Sequence, residues 1–517
     1  MRKLLAILQI FVLMAAMALP TAFAAEAPIM LAGLEAASSS SSTEAQHDWD
    51  TNLFFQTMQE KTGIAFSFTE YVSREAWTEA KTEMLAGEVA MPDMFFKAEL
   101  TPQETLAFYE AGKLIDLRPY LAEYAPHVWA LLEANPEWLE AVSLPDGAIV
   151  ALPSINELAP NNTMWINKTW LDRLKMAVPT TAEELTEVLR QFRDRDMNQN
   201  GSRNDEIPLS FVSMWDLRFL AHAFGINADD YYLTEQNGKI SEVLTTEENR
   251  TFLTWLHELY TEGMLDSQGF MAMRLVEAAT SSSSSSNSNA TAKYGVFFGA
   301  TPQDVVGVNL ASEYIALDPL VYNGKQVYRD FTGDLYRGTF AISSTCAEPG
   351  KLLQWVDYLY TDEGFLAAQV GREGEDYDWN DDGTWAYART AEEVVAMQDT
   401  NTIWTTSMPS YASADIQMKM DDDATHALAA ELARVRQWEK RAMPLLYLTQ
   451  EQMNRVTELQ SGISTYAETR MAWFVAGDVE LNDETWADFC AQVKALGIDE
   501  MVSIWQNAYD NAWHLDK

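Results

Sequence analysis

Short apolar runs alternate with amphipathic stretches in the first third of the chain. The apolar run at 64–68 predicts a strand, the stretch at 74–86 predicts a helix, and the run at 94–96 predicts a second strand. Strands that alternate with helical patterns are typical of βαβ units, in which the strands pair in parallel and helices cover the sheet. The beginning of the chain therefore predicts an α/β fold.

One later helix is predicted in more detail. Apolar side chains recur there at i, i+3, i+4 and i+7, which places them on one helical face: Leu185, Val188, Leu189 and Phe192. Thr181 and Glu184 precede them at the spacing of a capping box, which predicts where the helix begins. The helix is expected to run directly into the polar segment that starts at Asp196.

The alternation continues more sparsely in the middle of the chain and gives way to helices after about residue 390. Strands are predicted at 149–152, 295–298 and 314–317, and serine tracts at 38–42 and 281–286 predict flexible linkers or surface loops. A chain of 517 residues is long enough for more than one domain. The pattern favours two lobes whose connections cross more than once, at positions that it does not fix.

The first residues have the three parts of a secretory signal peptide. Arg2 and Lys3 precede an apolar stretch at 4–18, and small residues follow at Ala22 and Ala24. We expect cleavage after Ala24, which leaves residues 1–24 as the signal peptide and 25–50 as a flexible segment with the first strand. We expect a soluble mature chain, released or otherwise held at the cell envelope, because no cysteine near this site could carry a lipid anchor.

Charge narrows the possible partners. The chain carries 35 Lys and Arg against 77 Asp and Glu, a formal net charge of −42. Such a surface repels nucleic acid and anionic membranes, so no nucleic acid partner is expected. Two cysteines, Cys346 and Cys490, could form one disulfide or remain separate thiols, and the sequence leaves both possibilities open.

Residues 196–206 place oxygen-bearing side chains at alternate positions around Gly201, as in a calcium-binding loop. Positions 1, 3, 5, 7 and 9 are occupied by Asp196, Asn198, Asn200, Ser202 and Asn204, with Ser202 as a ligand through its carbonyl oxygen. Position 12 is Ile207 where such loops carry a glutamate, so Asp205 or Glu206 would have to complete the shell. The predicted ligand is Ca²⁺, and an empty polar turn is the alternative.

A second acidic run, at 378–383, repeats the first half of this pattern but has Arg389 at position 12. An aromatic strand is predicted at 385–387, directly after it. The run is therefore interpreted as the turn of a hairpin.

No nucleophile elbow, phosphate-binding loop, dinucleotide fingerprint or zinc motif occurs in the chain. Aromatic side chains are abundant, and flat rings suit the apolar faces of sugars. The candidates for ligand contact lie outside the predicted helical interiors: Trp165, Trp215, Tyr336, Tyr377, Trp379 and Trp404. Arg337, beside Tyr336, is a candidate clamp for a ligand carboxylate.

Several short motifs, in their order along the chain, resemble those of extracellular solute-binding proteins of ABC importers, in the branch that includes oligosaccharide-binding proteins. They are Glu60-Lys-Thr-Gly-Ile64, Met91-Pro-Asp93, Asp146-Gly147, Ile166-Asn-Lys-Thr-Trp-Leu171, the polar loop that begins at Asp196, Phe340-Ala-Ile-Ser343, Gly371-Arg-Glu-Gly374 and Gly477-Asp478. The resemblance covers nearly the whole chain after the signal peptide.

The resemblance implies an α/β, two-lobed periplasmic-binding-protein type II fold that closes about a hinge, with a helix-rich C-terminal part. The expected lobes are 51–153 with 318–388, and 154–317 with 389–517. It also implies a structural calcium ion in the Asp196 loop and a ligand contact from Glu373.

The function that the resemblance implies is capture of an oligosaccharide by a monomer, which delivers it to the permease subunits of an ABC transporter. A secreted hydrolase or lyase with acidic catalytic residues is the alternative. The acidic surface favours a neutral sugar as the ligand.

Overall fold

The computed structural model describes residues 29–36, 51–71, 74–159, 161–269, 291–330, 335–397, 400–403 and 407–515. The predicted signal peptide, both serine tracts and the candidate ligand residue Trp404 lie outside these ranges. In the described part of the chain, no helix is both long enough and apolar enough to span a membrane.

Six strands form the larger sheet, in the spatial order β15-β4-β12-β3-β1-β2. Their bounds are β1 Ile29–Ala36, β2 Ile64–Tyr71, β3 Met94–Phe96, β4 Ala151–Asn156, β12 Leu335–Ile342 and β15 Ser410–Ala412. β1 pairs in parallel with β2 and β3, which confirms the predicted βαβ rhythm. β12 is antiparallel to both of its neighbours, and the local rhythm could not show this because β12 comes far later in the chain.

A smaller sheet of four strands has the order β10-β5-β9-β6. Its strands are β5 Thr163–Asn167, β6 Ile207–Leu209, β9 Tyr294–Gly299 and β10 Tyr314–Ala316. Every residue of β5 is buried, as in a strand that is covered on both faces. Three two-stranded ribbons complete the strands: β7 Leu233–Gln236 with β8 Lys239–Glu242, β11 Tyr328–Asp330 with β16 Glu439–Arg441, and β13 Tyr377–Trp379 with β14 Trp385–Tyr387.

Helices cover both sheets and dominate the end of the chain. Those before the second sheet are α1 Leu53–Thr62, α2 Arg74–Ala86, α3 Pro102–Glu110, α4 Arg118–Tyr124, α5 Pro126–Ala134 and α6 Pro136–Val142. Those up to β12 are α7 Lys168–Leu174, α8 Ala182–Asp194, α9 Met214–Ala221, α10 Glu247–Thr261, α11 Pro302–Val306 and α12 Val308–Ala311.

The remaining helices are α13 Pro349–Asp357, α14 Asp362–Gln369, α15 Ala391–Met397, α16 Ala414–Met418, α17 Asp423–Arg436, α18 Gln450–Ala476, α19 Asp483–Ala495 and α20 Ile498–Asn511. Two short 3₁₀ helices lie at His222–Phe224 and Tyr358–Tyr360. The sequence prediction for α8 is confirmed, because Thr181 accepts the backbone N–H of Glu184 and the periodic apolar residues are buried. The Glu184 carboxylate, however, accepts from the backbone N–H of Thr180, one residue before the expected partner.

Each sheet has its own hydrophobic core. The core beside the larger sheet includes Phe96, Leu152, Phe340 and Trp355, and we call this unit the first lobe. The core beside the smaller sheet draws residues from β5 and β9 and from α17 to α20, and we call this unit the second lobe. The predicted two-lobed α/β fold with a helix-rich C-terminal part is therefore confirmed.

The chain passes between the two sheets in three places. It leaves the larger sheet after Asn156, returns to it at Leu335, and leaves it again after Ala412. We propose that the lobe boundaries lie near these positions, which moves 389–412 from the second lobe to the first and 318–330 from the first lobe to the second. β15 has only three residues, so its membership of the larger sheet left no periodic signal in the sequence.

Candidate functional site

The two lobes face each other across a cavity of about 260 Å³. The first lobe contributes Pro102, Gln103 and Arg337 to its lining, and the second lobe contributes Asp229, Asp230, Tyr231, Arg329, Met453 and Trp505. Asp330, the segment 441–446, which begins at the last residue of β16, and Leu448 complete the wall. Clefts between lobes are common positions for ligand sites. A second cavity, of about 470 Å³, is also lined by both lobes, but Asp230 lines only the first of these two.

Asp230 is the centre of a polar cluster at this cavity. Its Oδ1 accepts a hydrogen bond of 3.0 Å from the indole nitrogen of Trp215 and one of 3.1 Å from Nη2 of Arg329. Nη1 of Arg218 lies 3.6 Å from the same oxygen. Trp215 is partly exposed and lies in the first turn of α9, in the segment that follows β6. The structure thus joins the predicted ligand residue Trp215 to a carboxylate that the sequence analysis did not select.

The pKa values of the two neighbouring aspartates of this cluster shift in opposite directions. Burial raises the pKa of Asp229 to about 7, although the backbone N–H groups of Leu233 and Tyr231 act against it. Burial also acts to raise the pKa of Asp230, but the charge of Arg329 and the hydrogen bond from Trp215 outweigh it and lower that pKa. Asp230 is therefore an ionised carboxylate near neutral pH.

Tyr336 lies at the start of β12, in the first lobe, and 44% of it is exposed. Burial of the hydroxyl raises its pKa, and the nearby charge of Glu99 adds to this effect while Arg74 opposes it. Glu99 lies shortly after the carboxyl end of β3. Arg74 is the first residue of α2, which follows the carboxyl end of β2. Tyr336 is therefore available at the strand ends of the first lobe, where ligands of open α/β sheets bind.

Arg337 lines the inter-lobe cavity and also holds the chain's own backbone. Its Nη1 lies 3.2 Å from the carbonyl oxygens of Ala141 and Leu445, and its Nη2 lies 3.3 Å from that of Leu446. The guanidinium also lies 4.7 Å above the ring of Tyr447. These contacts fix the segment 445–447 to the first lobe, and the role of Arg337 as a carboxylate clamp stays a prediction.

The prediction for Trp165 is corrected. It lies in β5 with 1% of its surface exposed, and its indole nitrogen donates to the carbonyl oxygen of Gly299 at 3.0 Å. Its ring is part of the second lobe's core, where β9 and β10 cover both edges of the strand. Sequence position outside a helix was no indication of exposure, because a central strand buries its side chains as well.

Glu373 and Tyr377 line a separate cavity of about 260 Å³ on the first lobe. Its other walls come from α1 and from the region of α14, including Lys61, Tyr358 and Glu363. Glu373 is exposed, whereas 4% of Tyr377 is exposed. The structure does not bring these two residues together with Asp230, which lines the inter-lobe cavity.

Trp379 ends β13 and is 40% exposed. The run at 378–383 connects β13 and β14, which pair in antiparallel register from Tyr377 and Tyr387 to Trp379 and Trp385. The interpretation of this run as a hairpin turn is confirmed. Both cysteines are free thiols in the structure, Cys346 beside the core of the first lobe and Cys490 beside that of the second.

The Asp196 loop (196–206) is folded around its own carboxylates. The Asp196 carboxylate accepts the backbone N–H groups of Asn200 and Gly201, at 3.1 and 2.9 Å. Oε1 of Glu206 accepts the backbone N–H of Met197 at 2.7 Å. The two ends of the loop are therefore closed onto each other before β6 begins.

Two carboxylate oxygens in this loop are buried without a donor in the described part of the chain, Oδ1 of Asp205 and Oε2 of Glu206. Oδ2 of Asp205 accepts from the side-chain amides of Asn198 and Asn200. Burial acts to raise the pKa of Asp205, but these hydrogen bonds outweigh it and lower the pKa. Oxygens of this kind are what a hard cation coordinates.

The remaining predicted ligands of the loop are Ser202, whose hydroxyl accepts the backbone N–H of Asn204 at 3.3 Å, and Asn204 itself. No cluster of three or more His, Cys, Asp or Glu side chains in the described ranges is arranged to hold a metal ion. Besides its carboxylates, the loop offers the amide oxygens of Asn198, Asn200 and Asn204. The donor set therefore fits a cation that prefers oxygen ligands.

No protein-family model matches the chain. In sequence, it is 24% identical over 502 residues to the fructooligosaccharide ABC transporter substrate-binding protein FusA of Streptococcus pneumoniae, a match that covers 91% of this chain and 89% of FusA. It is 30% identical over 164 residues to the lipoprotein LipO of Bacillus subtilis, a match that covers 30% of each protein. The match to FusA is long enough to include both lobes.

The fold is similar to that of solved solute-binding proteins. An extracellular solute-binding protein from Bifidobacterium longum subsp. infantis superposes with a TM-score of 0.75 at 21% identity, covering 94% of this chain and 98% of that one. FusA in complex with kestose gives 0.67 at 22% identity, covering 93% and 99%. An EF-hand mutant of FusA in complex with fructo-nystose gives the same TM-score of 0.67.

The chain is a homologue of ABC-transporter substrate-binding proteins. The predicted family resemblance is confirmed by the match to FusA, because this match extends over nearly the whole chain and is not limited to short motifs. The fold likeness agrees with it over 93% of the chain. In this homologue of substrate-binding proteins, the inter-lobe cavity is the candidate ligand site.

Asp230 and Arg329 are the residues of the candidate site that sequence reasoning missed. Asp230 is 15 positions from Trp215 and Arg329 is 99 positions from Asp230, so only the tertiary fold brings them together. The pair Asp229-Asp230, followed by Tyr231 and Tyr232, could have been noted as a carboxylate next to aromatic residues. In a chain with 77 acidic residues, that signal does not stand out.

Proposed function

We propose that this homologue of substrate-binding proteins is exported, captures a neutral oligosaccharide between its two lobes, and delivers it to the permease of an ABC transporter. The observation that carries the proposal is the inter-lobe cavity lined by Asp230, whose Oδ1 accepts the indole N–H of Trp215. An aromatic face and an ionised carboxylate are the groups that bind the apolar face and the hydroxyls of a sugar ring. A relative with this fold has been solved with kestose bound.

The proposed mechanism is closure of two rigid lobes about the three connecting segments. Tyr336 belongs to the first lobe and Trp215 to the second, so a ligand that contacts both stabilises the closed arrangement. Lobe closure around a ligand is a common form of domain motion, and closure creates a surface that a membrane partner can distinguish from the open form. The chain then acts as a carrier and leaves the sugar unchanged.

We also propose that the Asp196 loop holds a structural calcium ion. The orphaned oxygens of Asp205 and Glu206 support this proposal, as do the side-chain oxygens of Asp196, Asn198 and Asn200. Bound Ca²⁺ would supply positive charge at the junction of α8 and β6. An EF-hand mutant of FusA has been solved, which agrees with a metal loop in that relative.

A ligand screen tests the proposed function. We expect kestose, nystose or neutral milk oligosaccharides to raise the melting temperature, because a ligand at 100 times its dissociation constant stabilises the bound form by about 2.7 kcal/mol. Oligogalacturonates and peptides form the comparison arms. Chromatography of the sugars after incubation should show them unchanged, whereas new shorter sugars would support a hydrolase or lyase. The absence of a shift with every sugar would contradict capture.

A further inference from the structure

The two carboxylate oxygens of Asp230 lie in different environments. Oδ1 is held by Trp215 and Arg329. Oδ2 takes no hydrogen bond from any residue in the described ranges, and 56% of the side chain is exposed. The second oxygen is therefore directed to solvent at a cavity that the first lobe also lines.

The positive charges of this cluster lie behind the carboxylate. The side chains of Arg329 and Arg218 are 7% and 17% exposed, against 56% for Asp230. Arg218 also bonds to Glu468 at 3.3 Å and lies 4.2 Å above the ring of Tyr232. Within this cluster the carboxylate is therefore the more exposed charge. Arg337 and Arg441 also line the cavity, but Arg337 donates to backbone carbonyl groups and Arg441 lies 3.4 Å from Asp330.

We propose that Asp230 determines specificity in the inter-lobe site, by accepting hydroxyl groups of a neutral sugar that lies against Trp215 and by repelling anionic sugars. This inference rests on the proposed function. Trp215 and Arg329 fix Oδ1, so the carboxylate is oriented before the ligand arrives and little rotamer freedom is lost on binding. A hydroxyl that donates to an ionised oxygen forms one of the stronger hydrogen bonds available to a sugar.

The test compares Asp230→Asn with the wild type by calorimetric titration with kestose and with trigalacturonate. We expect the dissociation constant for kestose to rise at least about tenfold, because a hydrogen bond to a charged acceptor is replaced by one to a neutral amide. Discrimination against trigalacturonate should fall in the same variant. Asp483→Asn is the matched control, since 97% of the Asp483 side chain is exposed and α19 lies outside the cavity lining.

The results of these titrations distinguish the proposed sugar capture from the proposed role of Asp230. Wild-type protein that binds neither probe would contradict capture of these sugars and this inference with it. Wild-type protein that binds kestose while Asp230→Asn binds it equally well would contradict the role of Asp230 alone. Trp215→Phe provides a second variant, which keeps an aromatic face but removes the indole N–H to Oδ1, and we expect it to weaken kestose binding less than Asp230→Asn does.

A second inference concerns the end of the described chain, where adjacent residues pack on different lobes. Ala512 packs against the core of the second lobe, directly after α20. Trp513 packs against the core of the first lobe, where Arg118 lies 4.5 Å from its ring. The backbone N–H of Leu515 donates to Oε1 of Glu140 at 3.0 Å.

Gly147 makes room for this contact. A Cβ atom at Gly147 would lie 3.0 Å from the ring of Trp513, and the residue has a φ of +89° that disfavours other side chains. We infer that residues 513–515 form a strap that restrains the motion of the lobes. It adds to the three hinge segments and to the contact of 445–447 with the first lobe, and the cavity of about 470 Å³ beside it is lined by both lobes.

Spin-label distances test the strap. Labels at Thr78→Cys and Thr465→Cys, one in each lobe, would be measured in a background of Cys346→Ser and Cys490→Ser. We expect removal of residues 513–517 to broaden the inter-lobe distance distribution of the ligand-free protein, and Trp513→Phe to leave it narrow because a ring still covers Arg118. An unchanged distribution in the shortened protein, with its far-UV circular dichroism retained, would contradict the inference.

Discussion

The Asp196 loop and the turn at 378–383 begin with nearly the same residues and end as different structures. The first reads Asp-Met-Asn-Gln-Asn-Gly and the second Asp-Trp-Asn-Asp-Asp-Gly, each with its glycine at a positive φ, +92° at Gly201 and +86° at Gly383. The first buries two carboxylate oxygens without donors in the described part of the chain. The second is exposed and satisfied locally, with Asp382 Oδ1 accepting the backbone N–H of Thr384 at 3.0 Å.

The difference arises from the residues on the C-terminal side of each glycine. After Gly201 the chain continues for several residues before β6, which lets Asp205 and Glu206 fold back over the loop. After Gly383 the strand β14 begins at Trp385, so the turn has no following acidic residues of its own that could fold back in the same way. A motif of alternating oxygen donors therefore has metal-binding capacity only if the chain supplies the far side of the shell.

Removal of calcium by a chelator should have the largest effect of the tests that compare the Asp196 loop with the turn at 378–383. With calcium removed, we expect the melting temperature of the wild type to fall, because an ion at 100 times its dissociation constant contributes about 2.7 kcal/mol to the folded form. Differential scanning fluorimetry with and without chelator measures this. The fall should persist in Asp382→Asn. If neither the chelator nor added Ca²⁺ changes the melting temperature, the proposal that the Asp196 loop binds calcium is wrong.

Glu206→Gln should reduce calcium affinity by about tenfold or more, which corresponds to about 1.4 kcal/mol. The glutamine can still accept the backbone N–H of Met197, so the calcium-free stability should change little. Titration of Ca²⁺ by isothermal calorimetry measures the affinity. Equal affinity in the variant would exclude the orphaned Oε2 as a ligand and direct attention to Asp205 alone.

Alanine at the two glycines tests whether the backbone of each region is equally strained. A Cβ atom added at Gly201 or at Gly383 would have no atom within 4 Å outside the adjacent residues, so only the positive φ opposes the substitution. We expect each to cost about 1 kcal/mol in calcium-free buffer. With Ca²⁺ present, Gly201→Ala should show the greater loss in chemical denaturation, since a shifted backbone also displaces the ligands. If Gly201→Ala and Gly383→Ala lose the same free energy of unfolding both with and without Ca²⁺, this prediction is wrong.

Sequence reasoning succeeded where a structure depends on neighbouring residues. The cap at Thr181 and the hairpin around residues 378–383 both follow from positions within a few residues of each other. It failed for Trp165, whose burial depends on β9, more than 120 positions later in the chain. It also did not show the carbonyl partners of Arg337, because they come from Ala141 and from residues 445–446.

The smallest expected effect is a pH dependence in the hairpin turn. Hydrogen bonds from the hydroxyl and the backbone N–H of Thr384 lower the pKa of Asp382. A carboxyl group whose pKa is lowered by folding contributes stability above its unfolded pKa and loses it as the pH falls through the folded value. Wild type should therefore be slightly more stable than Asp382→Asn near pH 6, and the difference should shrink below about pH 4. Denaturation of both proteins in chelator across this range measures it, and a difference that grows on acidification would show that another acidic group responds to the substitution.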